Sequence, residues 1–234
     1  MVLFRQPFQL LAASNLVLSF LRRLVRQVKI GKRPYHFQAK VIDNSCSLTL
    51  DIWVPPTASP GSQLPVKVWI FGGAGAAGGI SDSLYNGCNL ASDAIVVSIN
   101  YRVGPLGFLS LPSVGIQGNM AVQDVILGLE WVQTNIASFG GDPVSHFLWE
   151  RRERCASWQK CQKRVLVFGQ ANGAELVFIL STLPNASSLM HSIACESGGG
   201  RSYASSNLST VREFASNYVQ SLGCNTTDVR THAS

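Results

Sequence analysis

The sequence predicts an α/β protein in which a mostly parallel central sheet is flanked by helices. Short β-favouring runs alternate along the chain with stretches of helical periodicity. The run AIVVSINY (94–101) is almost continuously apolar, which is typical of a strand buried on both faces. In VLVFGQANGAE (165–175), four β-favouring residues lead into a turn framed by glycines and then into a helical pattern. A composition of 46% hydrophobic and 14% charged residues fits a globular chain with a substantial core.

The strands are predicted from their residue types and their boundaries. SLTLDIWVP (47–55) alternates aliphatic residues with Thr49, Asp51 and Trp53, so we expect it to be half-buried, and two prolines end it. A glycine-rich loop, GGAGAAGGISD, follows the second strand. Predicted strands occupy residues 47–55, 66–71, 94–101, 164–169 and 191–197.

Three helices are predicted from apolar spacing and from capping residues. The first covers 120–139, has apolar residues at helical intervals and ends at Gly140-Gly141-Asp142-Pro143. The second follows the turn and covers 172–183. The third covers 209–223, with Ser209 or Thr210 as the N-cap and Gly223 at its end.

The N-terminal region differs from the rest in charge. Residues 1–42 carry eight basic residues and no acidic residue, so a net charge of +6 for the whole chain leaves −2 for the remainder. Because residues 8–21 are mostly apolar, we expect a signal peptide, with a mitochondrial presequence or an interfacial helix as alternatives. We therefore predict a targeting or unstructured segment at 1–42, able to contact a membrane surface, and a domain at 43–234. A basic end on a near-neutral body does not favour nucleic-acid binding.

Cysteine spacing and glycosylation sequons bear on the compartment. The six cysteines form no C-x-x-C pair and no Cys/His cluster with zinc-site spacing, so we expect no metal site. We also expect no cofactor. One or two disulfides are possible, but the sequence does not pair the cysteines. Sequons at Asn185, Asn207 and Asn225 favour a secreted glycoprotein, although such triplets are common by chance.

Several blocks, in order, resemble the type-B carboxylesterase family, the α/β-hydrolases that include cholinesterases and many lipases. They are SLTLDIWVP, LPVKVWIFGGAG, AIVVSINYRVGPLGFLSL, GIQGNMAVQDVILGLEWVQTNIASFGGDP, RVLVFGQANGAE and SIACESGGG. The resemblance covers roughly residues 45–200 and implies an incomplete α/β-hydrolase fold. It also implies the family's chemistry, in which a serine attacks an ester carbonyl, a histidine takes its proton and an acid orients the histidine.

The resemblance assigns a role to individual positions. Residues 169–173 stand where the family has G-[EQ]-S-A-G, so Ala171 takes the nucleophile position and supplies only a methyl group. The N–H of Asn172 takes the place of one oxyanion donor, and Gly73 and Ala74 take the places of the two donors in the glycine-rich loop. Ala74 is an unfavourable residue if that position needs a positive φ.

The other triad members are expected downstream of Ser234, and the histidines at 36, 146, 191 and 232 lie in none of the family's contexts. We therefore predict a family member that is inactive as written, whose ligand, if any, is a small ester or lipid. Alternatives are a secreted binding or adhesion module on the same fold, and an esterase that uses another serine. For the last, Ser197 is a weak candidate and Ser98 is expected to be a buried strand hydroxyl. Arg102 and Asp124 are expected to form a structural ion pair.

Residues 144–163 interrupt the family pattern between Pro143 and Arg164. The segment VSHFLWERRERCASWQKCQK contains five basic residues and two tryptophans and has no clear period. A surface excursion would explain it. We favour the hypothesis that this atypical insert is translated intron or an error in the gene model, and transcripts without a splice junction there would refute that.

Overall fold

The computed structural model describes residues 48–143, 165–200 and 207–224, together with the backbone of 26–28 and 35–40. The described strands form one sheet in the order β1-β2-β3-β5-β4-β6-β7. They are β1 (Arg26–Val28), β2 (Tyr35–Lys40), β3 (Thr49–Val54), β4 (Val66–Ile70), β5 (Ile95–Ile99), β6 (Val165–Gln170) and β7 (Ser192–Glu196). The helices are α1 (Gly104–Phe108), α2 (Met120–Asn135), α3 (Asn172–Thr182), α4 (Pro184–Ser187) and α5 (Leu208–Ser221).

The sheet has a parallel part and an antiparallel edge. Strands β5, β4, β6 and β7 are parallel to one another. Strands β1, β2 and β3 pair antiparallel, and β3 pairs antiparallel with β5. The predicted α/β class, with a parallel sheet flanked by helices, is confirmed, and the antiparallel edge makes the sheet mixed.

One face of the sheet, which we call the helix face, is uniformly apolar. Its cross-strand rows join aliphatic residues of β3, β5, β4 and β6, for example Ile52, Val97, Val68 and Val167, all buried. Helices α2 and α3 pack on it to form the main core. The packing is close, since a methyl group added to Gly128 of α2 would lie 2.8 Å from the Ile99 side chain.

The opposite face, which we call the aromatic face, carries Trp53, Val96, Ser98, Trp69 and Phe168. Among the described residues it is covered mainly by the segment 83–93. The Tyr85 ring lies 5.4 Å from that of Trp69, and Lys67 pairs with Asp93 at 3.1 Å. Trp69 in turn contacts Phe168, with ring centroids 5.0 Å apart.

The coverage by segment 83–93 corrects one prediction. Strand β3 is not half-buried, because Asp51 and Trp53 on its non-aliphatic side are only 5% and 4% exposed. Trp53 packs with Ala91 and Val96, and Gly87 approaches its ring so closely that an added methyl group would lie 2.6 Å away. Alternation in the strand sequence gave no sign of a loop that returns to cover the second face.

Two boundaries also differ from expectation. Strands β1 and β2 lie before the domain boundary predicted at residue 43, and β2 pairs with β3 along its whole length. The high basic content of the segment concealed the strand in YHFQAK. Helix α5 is capped by Asn207, whose side chain accepts from the Thr210 N–H at 2.9 Å, rather than by Ser209 or Thr210.

The insert at 144–163 lies outside the described residues, as do residues 1–25, so the targeting role stays a prediction. Among described residues, no helix is long and apolar enough to span a bilayer. Nor does this part of the chain contain a cluster of three or more histidine, cysteine or acidic residues able to hold a metal ion.

Candidate functional site

The turn between β6 and α3, which we call the elbow, is held in a strained backbone conformation. Ala171 has φ +51° and ψ −124°, a region that residues with a Cβ rarely adopt. Its N–H donates to the Glu196 carbonyl at 2.8 Å, and its own carbonyl accepts from the Glu175 N–H at 3.1 Å. Strand β7 and helix α3 therefore fix Ala171 from both sides.

Glycines let neighbouring backbones approach the elbow. A Cβ on Gly169 would lie 2.6 Å from the backbone of Gly173, and a Cβ on Gly173 would collide with the carbonyl oxygens of Ile70 and Phe71. A Cβ on Gly198, which follows β7, would collide with the carbonyl oxygen of Ala171. The tight strand–turn–helix geometry predicted for residues 165–175 is therefore present, with glycines where close approach requires them.

The glycine-rich loop starts directly after β4 at Phe71 and is anchored by Tyr101. The Tyr101 hydroxyl donates to the Phe71 carbonyl at 2.6 Å, and the two rings stack with centroids 4.2 Å apart. Burial raises the pKa of the Tyr101 hydroxyl well above its usual range, so it stays a donor. Gly73 and Ala74 both have positive φ, +129° and +53°. Ala74 therefore does adopt the positive φ that makes alanine an unfavourable residue at this position.

The loop and the elbow are in contact. A Cβ on Gly72 would lie 3.2 Å from the Ala171 methyl group, and one on Gly75 would lie 3.3 Å from Asn172 Oδ1. The four residues singled out from the sequence, Gly73, Ala74, Ala171 and Asn172, therefore lie in one region. No backbone carbonyl of the described residues accepts from the N–H groups of Gly73, Ala74 or Asn172. Their role as oxyanion donors remains a prediction.

Asn172 differs chemically from the alanine that the family pattern has at this position. Its side-chain NH₂ lies 3.3 Å from Glu175 Oε2. Its Oδ1 is buried beside the loop and has no hydrogen-bond partner among the described residues. An additional carbonyl-type oxygen therefore stands at the loop, on the side where Gly75 and Phe108 meet.

The other polar residues singled out from the sequence are Arg102, Asp124 and Ser98. Arg102 and Asp124 form the predicted ion pair, with 2.7 Å between Nη2 and Oδ1 and 2.8 Å between Nε and Oδ2. The hydrogen bond to Asp124 raises the pKa of the Arg102 guanidinium. Ser98 is fully buried in β5 on the aromatic face, as expected.

Ser197 and His191 occupy opposite ends of β7. Ser197 is exposed, has φ +53° and lies on the elbow side next to Gly198. His191 precedes the strand, where its backbone N–H donates to the Val165 carbonyl at 2.9 Å. The strand thus separates this histidine from both Ser197 and Ala171. His36 belongs to β2, two strands beyond β5, and the other two histidines lie outside the described residues.

Sequence reasoning missed three contributors to this region. Tyr101 anchors the loop, Phe108 closes it against Gly75, and Gly198 permits the approach of the segment after β7. All three stand inside blocks that carry the family resemblance, but only contacts between distant segments reveal what they do.

Comparison with known proteins is consistent with this geometry. The model of the carboxylesterase family matches residues 27–149, which is 123 of the 234 residues. The chain is 34% identical over 182 residues to para-nitrobenzyl esterase of Bacillus subtilis, covering 76% of this chain and 32% of the relative. It is 38% identical over 162 residues to acetylcholinesterase of Danio rerio, covering 68% and 22%.

Comparison with solved structures also finds esterases. Juvenile hormone esterase from Manduca sexta superposes with a TM-score of 0.67 and 32% identity, covering 79% of this chain and 32% of that one. The chain thus spans less than a third of the length of each of these three relatives.

Proposed function

The chain belongs to the carboxylesterase family, and on that premise we propose that it is a member that does not hydrolyse esters itself. The observation that carries the proposal is Ala171, which holds a methyl group at the strained turn between β6 and α3. Covalent catalysis of acyl transfer requires a hydroxyl or thiol at that point. The elbow is otherwise shaped by the same close approaches of Gly169, Gly173 and Gly198 that such a turn needs.

The size of the expected defect follows from triad enzymes. In a serine protease with a comparable triad, removal of the nucleophile lowers kcat about a million-fold and leaves only oxyanion stabilisation and binding. We therefore expect ester turnover at background. The N–H groups of Gly73, Ala74 and Asn172 are available to hold a carbonyl oxygen, so the remaining role is binding of a small ester or lipid without its cleavage.

The proposal is tested with the whole chain and a fluorophosphonate probe, which labels only activated serines. We expect no labelling and no p-nitrophenyl acetate hydrolysis above buffer, while para-nitrobenzyl esterase of Bacillus subtilis, as positive control, is labelled and active. Peptide mapping locates any adduct. Labelling at Ser197 or Ser98, removed by the corresponding Ser→Ala change, would refute the proposal, because the chain would then possess its own nucleophile.

We also propose that the chain enters the secretory pathway. The exposed Asn185 sequon supports this, because an oligosaccharyltransferase needs an accessible asparagine. Expression in a eukaryotic secretory host should give a product whose mass falls on treatment with an N-glycosidase. Asn185→Gln and Ser187→Ala should each remove the same glycan. An unglycosylated product retained in the cytosol would contradict the proposal.

A further inference from the structure

Helix α5 carries an apolar stripe that the described residues leave uncovered. Ala215 and Val219 are buried and attach the helix to the domain through a small apolar cluster. Beside them on the helix surface, Phe214 is 69% exposed and Leu222 is 61% exposed, and Tyr218 is exposed between them. A row of exposed apolar side chains is either covered by something or promotes association of the protein.

A glycosylation sequon stands at the start of the same stripe. Asn207 is the N-cap of α5 and is exposed, and it precedes Phe214 by seven residues and Tyr218 by eleven. These separations correspond to about two and about three helical turns, so the three residues follow one side of the helix. Phe214 lies only about 10 Å further along the helix axis than Asn207. An N-linked glycan, which is bulky and soluble, would therefore begin where the apolar stripe begins.

The geometry of the cap is compatible with a glycan. Asn207 Oδ1 accepts from the N–H of Thr210 at 2.9 Å, from the Thr210 hydroxyl at 2.9 Å and from the Ser209 hydroxyl at 2.6 Å. Its Nδ2 donates to none of the described residues. N-glycosylation replaces one hydrogen on Nδ2 and leaves Oδ1 unchanged, so the glycan bond uses the free atom and the cap is kept.

We propose that Asn207 carries an N-linked glycan that covers the apolar stripe of α5. The inference rests on the proposed entry into the secretory pathway, and it adds a second modified residue and a role for its glycan. The donor is an oligosaccharide diphosphate linked to a lipid. A bond forms between Nδ2 and the anomeric carbon, the bond from that carbon to the diphosphate oxygen breaks, and the proton from Nδ2 leaves with the diphosphate. The C–H faces of the sugar rings pack on Phe214 and Tyr218, and their hydroxyls face water.

The first test locates the glycan on the whole chain, expressed in a eukaryotic secretory host. An N-glycosidase in heavy-oxygen water converts each glycosylated asparagine to labelled aspartate, and peptide mapping finds the label. We expect label at Asn207 as well as at Asn185. Asn207→Asp keeps a good N-cap but lacks the amide, and Ser209→Ala keeps Asn207 but breaks the sequon, so each should lose one glycan. Ser209→Thr retains the sequon and should retain the glycan.

The outcome at Asn185 separates this inference from the proposal on which it rests. Label at Asn185 without label at Asn207 would overturn the inference and leave the secretory proposal intact. A cytosolic product without label at either residue would overturn both.

The second test measures the covering role on folded chains, verified by circular dichroism. Asn207→Asp should raise the fluorescence of a dye that binds apolar surfaces severalfold, and should shift sedimentation toward larger species. Adding Phe214→Ser to that variant should reverse both changes. Ser187→Ala, which removes the glycan of Asn185 in α4, is the matched control and should cause neither change.

Two results would overturn the covering role. Unchanged dye binding and sedimentation in Asn207→Asp would mean that a second copy or another part of the chain already covers the stripe. An equal change in Ser187→Ala would mean that the effect comes from any glycan and not from one placed at the stripe.

Discussion

The two faces of the sheet are built from the same strands but are completed in different ways. The helix face is aliphatic and is covered by α2 and α3. In the sequence, α2 lies between β5 and β6, and α3 lies between β6 and β7. The aromatic face has a buried serine and a row of large rings, and among the described residues it is covered mainly by segment 83–93. The comparison shows that helices close the helix face, whereas the described cover of the aromatic face comes mainly from one loop segment.

The largest expected effect is on the free energy of unfolding, when the same Leu→Ala substitution is made in a strand on each face of the sheet. Leu50 of β3 is fully buried on the helix face, so Leu50→Ala should lower the free energy of unfolding by about 2–5 kcal/mol. Leu166 of β6 is partly exposed on the aromatic face, so Leu166→Ala should cost only about 1 kcal/mol. Urea unfolding of the full chain, followed by circular dichroism, measures both.

Equal losses for the two variants would break this comparison. They would show that Leu166 is as completely covered in solution as Leu50, and hence that residues outside the described ranges pack on the aromatic face. A Leu166 cost near 1 kcal/mol would instead show that Leu166 stays partly exposed in solution.

The sequence predicted the helix face better than the aromatic face for a physical reason. Helix α2 shows its buried stripe in the spacing of Val125, Leu129 and Val132, and the strands show theirs as aliphatic runs. Burial of Trp53, in contrast, depends on Gly87 and Ala91, which lie 34 and 38 residues further along the chain in a loop with no periodicity. Local patterns record local structure, and a loop that folds back over a sheet leaves no such pattern.

The same distinction applies at the candidate site. The strand–turn–helix at 165–175 could be predicted because its glycines and its β-favouring residues are adjacent in sequence. The anchoring of Phe71 by Tyr101, thirty residues later, could not, although both residues stand in quoted blocks. The contact between Gly72 and the Ala171 methyl group likewise joins segments that are a hundred residues apart.

The smallest expected effect concerns the elbow, where α3 begins its cover of the helix face. At φ +51° and ψ −124°, Ala171 stores strain of about 1–3 kcal/mol, and its methyl group makes no hydrogen bond that would offset this cost. Ala171→Gly relieves the strain but adds about 0.5–1 kcal/mol of backbone entropy to the unfolded chain. We therefore expect a net stabilisation of about 1 kcal/mol by urea unfolding.

Ala174→Gly provides the matched control for this change, because Ala174 lies three residues further along, inside α3, and is fully buried. There the same substitution should destabilise by about 1 kcal/mol or more, since a regular helical residue has no strain to release. If Ala171→Gly destabilises as much as Ala174→Gly, the turn at Ala171 is relaxed in solution. The proposed binding at the glycine-rich loop would then lose its structural support.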